Sequence, residues 1–229
     1  MDRTQTLAEA TSRARRLAAS GQRRLLGIVG PPGGGKSTIA TAVVEALSPR
    51  ACYVPMDGFH LANRELARLG RRDRKGAPDT FDAAGYVALL RRLRDGGSDV
   101  VYAPEFDRDL DEPVAGAIPV PPGAALIVTE GNYLLLDDGP WAEVHRLLDE
   151  TWYVEIDETV RLEQLVRRHV AFGMSPETAR AWALGTDQRN ARLVAGTMPR
   201  ADLVVRPSLA PADRGIPDGG GGRRPDTDP

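Results

Sequence analysis

Lys36, Ser37, Asp57 and Glu130 are residue types that together move phosphoryl groups, and their settings in the chain suit that chemistry. Lys36 and Ser37 close the octapeptide "GPPGGGKS" at residues 30–37, which fits G-x-x-x-x-G-K-[ST] without a mismatch. Gly30, Gly33, Gly34 and Gly35 let backbone amides approach an anion without Cβ interference, and a helix starting at the lysine directs its positive end there. On this reading Lys36 neutralises β- and γ-phosphate oxygens, the Ser37 hydroxyl ligates Mg²⁺, and Thr38 adds a phosphate contact. Glu130 ends the apolar run "LIVTEG" and Asp57 opens "DGFH" just after "ACYVPM". A carboxylate at the end of a buried strand can hold Mg²⁺ directly or through water. A second one, on the strand taken as neighbour to the phosphate loop, can accept the proton of an acceptor hydroxyl and aim its oxygen for in-line attack. Phe59, to stack or pack, and His60, to hydrogen-bond, suit a substrate pocket beside Asp57. The plain alternatives are an ordinary strand-end acid and a structural histidine.

These residues need elements to position them, and the pattern supplies strands alternating with helices. Apolar runs at 23–30, 51–56, 124–131, 151–157 and 201–206 read as strands, the run at 124–131 being apolar enough to be buried on both faces. Amphipathic spacing predicts helices over 4–19, 36–47, 63–69, 81–95, 141–150, 158–173 and 175–196, the last with Ser175 as N-cap and Pro176 at the first helical position. "DVVYAPEF" reads as a strand broken by Pro104, followed by a proline-rich surface stretch to residue 122. Alternation of this kind implies an α/β fold, a mostly parallel central sheet with helices on both faces in three layers. Residues 1–20 are expected to form a helix packed on a domain spanning 21–206, and 207–229, almost all Gly, Pro, Asp and Arg, to be a disordered tail.

Composition narrows the partners. The 229 residues carry a formal net charge of −2, which offers no general attraction to nucleic acid or an anionic membrane. Lys36 and Lys75 are the only lysines, and the other 28 basic residues are arginines, most of them suited to solvated helix faces. A single cysteine, Cys52, excludes a disulfide within the chain and reads as an inert thiol. No apolar stretch is long enough for a membrane span and no signal core precedes the domain, so a cytoplasmic protein is expected.

Taken together, the segments resemble a group of phosphate-loop small-molecule kinases: type I pantothenate kinases, uridine kinases and phosphoribulokinases. The order matches from residue 30 to 206. "MDGFH" is similar to their strand-end D-[GS]-F motif, and "RKGAPDTFD" (74–82) to "KGFPESYD". "APEFDR" (103–108) takes the place of "APVYSH" or "PVYD", "VTEGN" that of "VEGLN" or "LEGI", and "TMPRADLVVR" (197–206) that of the closing "PTRPRATLVL" beside the adenine. The resemblance implies ATP bound at residues 30–38 with Arg200 near the base, Asp57 as catalytic base, and Glu130 as the metal-associated acid. It implies a lid at about 161–180 in which Arg167 or Arg168 closes over the phosphates, and Lys75, Phe106, Asp107 and Arg108 as contacts to the acceptor. Asn190 is loosely similar to the asparagine of "NEPNLVENI". Phe106 and Arg108 stand where pantothenate kinases have tyrosine and histidine, which counts against a pantothenate pocket.

The activity expected is therefore ATP-dependent phosphorylation of a small hydroxyl compound. A nucleoside or ribose-like primary hydroxyl ranks first, a free sugar such as fructose second and pantothenate third; a homodimer is expected from the resemblance alone. The rival is a nucleotide-dependent switch or accessory ATPase without an acceptor, against which stand the lack of an N-K-x-D motif and of a clear switch threonine.

Overall fold

The computed structural model describes residues 4–207; the tail expected to be disordered lies, but for Pro207, outside the described residues. Among the described residues, eight strands and eight α-helices follow one another. They are β1 (Thr4–Gln5), α1 (Leu7–Ala18), β2 (Arg24–Val29), α2 (Lys36–Leu47), β3 (Ala51–Tyr53), α3 (Asn63–Arg68), α4 (Ala83–Asp95) and β4 (Val101–Asp107). Then come β5 (Glu112–Val120), β6 (Leu126–Gly131), α5 (Ala142–Leu147), β7 (Glu150–Val154), α6 (Glu158–Ala171), α7 (Pro176–Trp182), α8 (Gln188–Ala195) and β8 (Leu203–Val205). Among the described residues, six strands form one parallel sheet in the order β1-β8-β7-β2-β6-β3. This is the α/β architecture that the alternation of elements predicts.

Successive residues of the central strands feed opposite cores. Leu25, Val29 and Ile127 join Tyr86, Leu90 and Val144 of α4 and α5 on one face. Leu26, Ile28, Leu126 and Val128 join Ala14 of α1 and Ile39 and Val43 of α2 on the other. Side chains alternate across a strand, so only a strand apolar at both parities can be covered on both sides. Each such Leu or Ile contributes about 1.5–3 kcal/mol on burial.

Four details depart from the sequence reading. Residues 4–5 are not helical but pair with β8, and α1 begins after Thr6, whose hydroxyl accepts from the Glu9 amide while the Glu9 carboxylate accepts from the Thr6 amide. That capping box, T-x-x-E, is readable in the sequence. The stretch to residue 122 is not irregular: β4 runs through Pro104 with a bulge between Ala103 and Glu105 and pairs antiparallel with β5. Prolines are tolerated there because the hairpin stands outside the main sheet and needs only one ladder. The single helix expected over 175–196 is interrupted by a π-helical turn, Ala183–Asp187. Finally, β6 lies between β2 and β3, so the strand leading to Asp57 is not the immediate neighbour of the one leading to the phosphate loop.

Candidate active site

The loop between β2 and α2 is shaped by glycines held against other backbone. Gly33 and Gly35 have φ of 77° and 80°, the left-handed region that glycine enters without a Cβ penalty. A Cβ on Gly33 would also lie 3.0 Å from the Arg161 carbonyl oxygen, and one on Gly34 2.9 Å from that of Pro31. No side chain caps the start of α2, which leaves its first-turn amides and the positive end of a twelve-residue helix for an anion. Lys36, in the first turn, is buried; its ammonium donates to the Pro31 carbonyl oxygen at 3.1 Å and to Asn132 Oδ1 at 2.8 Å. Burial pulls its pKa down, opposed by the Glu130 and Asp57 carboxylates. Ser37 and Thr38 follow, both exposed.

Glu130 is paired in register with Ile28, one residue before the end of β6. Its Oε1 accepts from Ser37 Oγ at 3.1 Å and from the Tyr53 hydroxyl at 2.8 Å. Burial raises the Glu130 pKa, the Lys36 charge opposes that rise, and Asp57 adds to it. A hydroxyl and a carboxylate this close are the hard oxygen donors that Mg²⁺ takes when water and phosphate complete its shell; the residues present fit that ion. No cluster of three or more His, Cys, Asp or Glu suited to a metal occurs among the described residues, so the protein alone would not cage one.

Asp57 sits in a helical turn, Met56–Phe59, just beyond β3. It is half-buried, and its charge acts on Lys36, Glu130, His60 and Arg168. The turn is braced on two sides. A Cβ on Gly58 would lie 2.3 Å from the Pro104 carbonyl oxygen, so the β4–β5 hairpin backs directly onto it, and the Asp82 amide donates to the Phe59 carbonyl at 2.8 Å. Phe59 packs inward, 5.2 Å from the Tyr86 ring, and supports the turn. His60 Nδ1 lies 2.9 Å from the Asp57 carbonyl oxygen, and its ring packs at a tilt against Phe81 at 4.0 Å and Phe106 at 4.8 Å. Burial lowers the His60 pKa, which makes the imidazole neutral near pH 7.

Beyond His60, Lys75 lies over the Phe106 ring at 5.0 Å and donates to Asn63 Oδ1 and to the Asp111 carboxylate, both at 2.9 Å. Asn190 Nδ2 donates to the Gly76 carbonyl at 3.2 Å, fixing the segment that holds Lys75. Asp107 is turned away to accept from the amides of Asp109 and Leu110, and Arg108 lies over the Phe172 ring at 5.5 Å.

On α6, the two neighbouring arginines separate. Arg167 is solvent-exposed and pairs with Glu163 at 3.7 Å. Arg168 is exposed as well, but the protein around its guanidinium and the Arg108 charge hold its pKa below the ordinary arginine range, against Asp187, Asp57 and Glu130. A third arginine, Arg161, is the one buried: it donates to the Pro32 carbonyl of the loop at 2.9 Å and to both Glu158 oxygens. Tyr53, Asn132 and Arg161 are absent from the sequence reading. The "EGN" tripeptide was the available signal for Asn132; Tyr53 and Arg161 show nothing in sequence that separates them from core or surface residues.

A cavity of about 390 Å³ opens beside the loop, bounded by Pro31, Glu155, Ile156, Arg192 and Met198. Arg200 does not line it; its guanidinium is taken by the Leu135 carbonyl at 2.8 Å and by Asp137. Met198, two residues earlier, lines it instead.

Residues 25–210 match the model of the Phosphoribulokinase / Uridine kinase family. The chain is 38% identical over 159 residues to the ATP-dependent kinase-like protein notR' of Aspergillus versicolor, covering 65% of this chain and 92% of that protein. It is 35% identical over 189 residues to the uncharacterised protein YggC of Escherichia coli K12, covering 80% of this chain and 78% of YggC. Among solved structures, a proposed fructose transport system kinase of Silicibacter sp. TM1040 superposes with a TM-score of 0.78 at 36% identity, over 87% of this chain and 98% of that one.

Proposed function

The chain belongs to the phosphoribulokinase and uridine kinase family, and from that premise we propose that it transfers the γ-phosphoryl group of Mg·ATP to a hydroxyl of a small metabolite. The observation that carries this reading is the meeting of the Lys36 ammonium, the Ser37–Glu130 pair and the Asp57 carboxylate at the C-terminal edge of three adjacent strands, β2, β6 and β3. In an open parallel sheet that edge is where ligands bind.

Each group then has one task. The open amides of the loop hold the β-phosphate, and the cavity edged by Met198 and Arg192 receives the base. Ser37 and Glu130 would hold Mg²⁺, which when bound would draw charge from the phosphate oxygens. Asp57 takes the proton of the acceptor hydroxyl and fixes its oxygen in line with the γ-phosphorus. Lys36 and Arg168 neutralise charge on the transferring group in a loose transition state. Arg161 acts through structure, locking α6 onto the loop carbonyl of Pro32.

Asp57→Asn is expected to retain nucleotide binding and to lose about 10²–10⁴ in kcat. ADP release followed across nucleosides, free sugars and pantothenate tests the reaction itself. Release that depends on an added acceptor supports transfer, whereas release indifferent to every acceptor points to a hydrolase or switch. Undiminished transfer by Asp57→Asn would sink the base assignment.

A further inference from the structure

Most charges around the acceptor side of Asp57 are already matched. Lys75 is held by Asp111, Arg74 by Asp79, and Glu112 accepts from the Asn63 amide. Asp107 accepts from two amides of its own turn. Arg108 stands apart: among the described residues no carboxylate lies within ion-pair distance of it, and its one close partner is the face of Phe172 at 5.5 Å. Stacking engages the plane of a guanidinium and leaves the N–H groups on its edge free to donate.

Its position is not that of a stray surface arginine. Arg108 follows directly on β4, and that strand is pinned to the Asp57 turn, because Gly58 leaves no room for a Cβ against Pro104. Phe106, on that strand two residues before Arg108, packs at a tilt against His60, whose Nδ1 touches the Asp57 carbonyl. Phe172, at the end of α6, brings the lid to the same place. Arg108 thus stands where the hairpin and the end of α6 meet, and the charge it adds falls on Arg168. Arg168 is offset by Asp187, Asp57 and Glu130; Arg108 has no carboxylate of the described residues within ion-pair distance, and a cation left unmatched beside another leaves room for an anion of the ligand.

We infer that the acceptor carries an anionic group, a carboxylate or a phosphate, in addition to the hydroxyl that is phosphorylated, and that Arg108 binds this group from the tip of the β4–β5 hairpin. The inference rests on the phosphotransferase reading above, and it moves neutral nucleosides and free sugars below hydroxy acids and sugar phosphates as acceptors. Arg108 is a specificity-determining residue in this scheme: it recognises the far end of the acceptor, while Asp57 handles the reacting hydroxyl.

The test uses the full chain with matched acceptors that differ only in charge: glycerate and glycerol, a pentose 5-phosphate and the free pentose, pantothenate and its amide, with uridine as neutral reference. The expected result is a kcat/KM for at least one anionic member about 10- to 100-fold above its neutral counterpart, and collapse of that ratio towards one in Arg108→Gln, the size expected for a hydrogen-bonded charge. Sugar phosphates and hydroxy acids identify which anion is read. Arg108 is exposed and supports no other side chain by a hydrogen bond, and a melting curve within a degree or so of the parent would confirm that Arg108→Gln is folded. A neutral acceptor turned over as well as its anionic partner, or a preference that survives Arg108→Gln, overturns the inference and leaves the kinase reading standing. ADP release that no acceptor accelerates overturns both.

Discussion

At the scale of single residues, the site sets a buried carboxylate against a buried ammonium. Glu130 has its pKa raised, chiefly by burial. A carboxylate whose folded pKa lies above its unfolded value stabilises the fold only while protonated. That contribution is present below the unfolded pKa and is lost as pH rises through the folded one. Glu130→Gln keeps an oxygen to accept from Ser37 and Tyr53 but carries no charge. It should therefore raise the melting temperature of the nucleotide-free protein at pH 7.5, by a margin that shrinks as pH falls towards the ordinary glutamate value of about 4.3. Differential scanning calorimetry across pH, with an activity assay in parallel, checks this: a gain in stability together with a loss of turnover is the expected pair, and a lower melting temperature at every pH would contradict it. Lys36, Ser37, Asp57 and Glu130 were legible because each follows a recognisable strand or loop. Tyr53 and Arg161 were not, since a tyrosine in a strand or an arginine in a helix gains its role only from the neighbour that folding brings to it.

At the scale of elements, α6 shows how a helix chooses between adjacent residues. Successive side chains on a helix are separated by about 100°, so Arg167 and Arg168 cannot both face the crevice. Arg168 does, and Arg167 makes an exposed pair with Glu163 of a kind worth about 0.3–0.5 kcal/mol. Arg168→Ala is expected to lower kcat by about 10²–10³, and Arg167→Ala to change it far less; steady-state kinetics of the two variants decide the matter, and equal losses would count against the facing shown here. The motif placed both arginines in the lid, but the rotation of the helix is set by the packing of Leu165 and the anchoring of Arg161. The hairpin was less legible still. Prolines at 104, 113 and 119 speak against a strand in a sheet interior, and nothing local reveals that the two segments pair only with each other.

At the scale of the whole molecule, the sheet brings residues from four distant segments to one edge, and a ligand that binds them ties the fold together. ATP with Mg²⁺ at about 100 times its dissociation constant should stabilise the protein by about 2.7 kcal/mol, or roughly 5–10 °C for a chain of this size. Lys36→Ala should erase most of that shift. A thermal shift series against nucleotide concentration measures it, and a full shift in Lys36→Ala would place the nucleotide elsewhere. No described helix is long and apolar enough to cross a membrane, in keeping with the composition. By itself the sequence determined the phosphate loop, the alternation of strands and helices, and the family, because these rest on local periodicity and on contiguous motifs whose backbone demands are met within a few residues. Only the tertiary structure decided that β6 separates β2 from β3, that Arg168 rather than Arg167 faces the site, that Met198 and not Arg200 edges the cavity, and that Arg108 stands without a counter-charge. Each of these depends on strand order, helix rotation or the pairing of remote charges, and none is fixed until the apolar faces of the sheet are buried and distant segments are forced side by side.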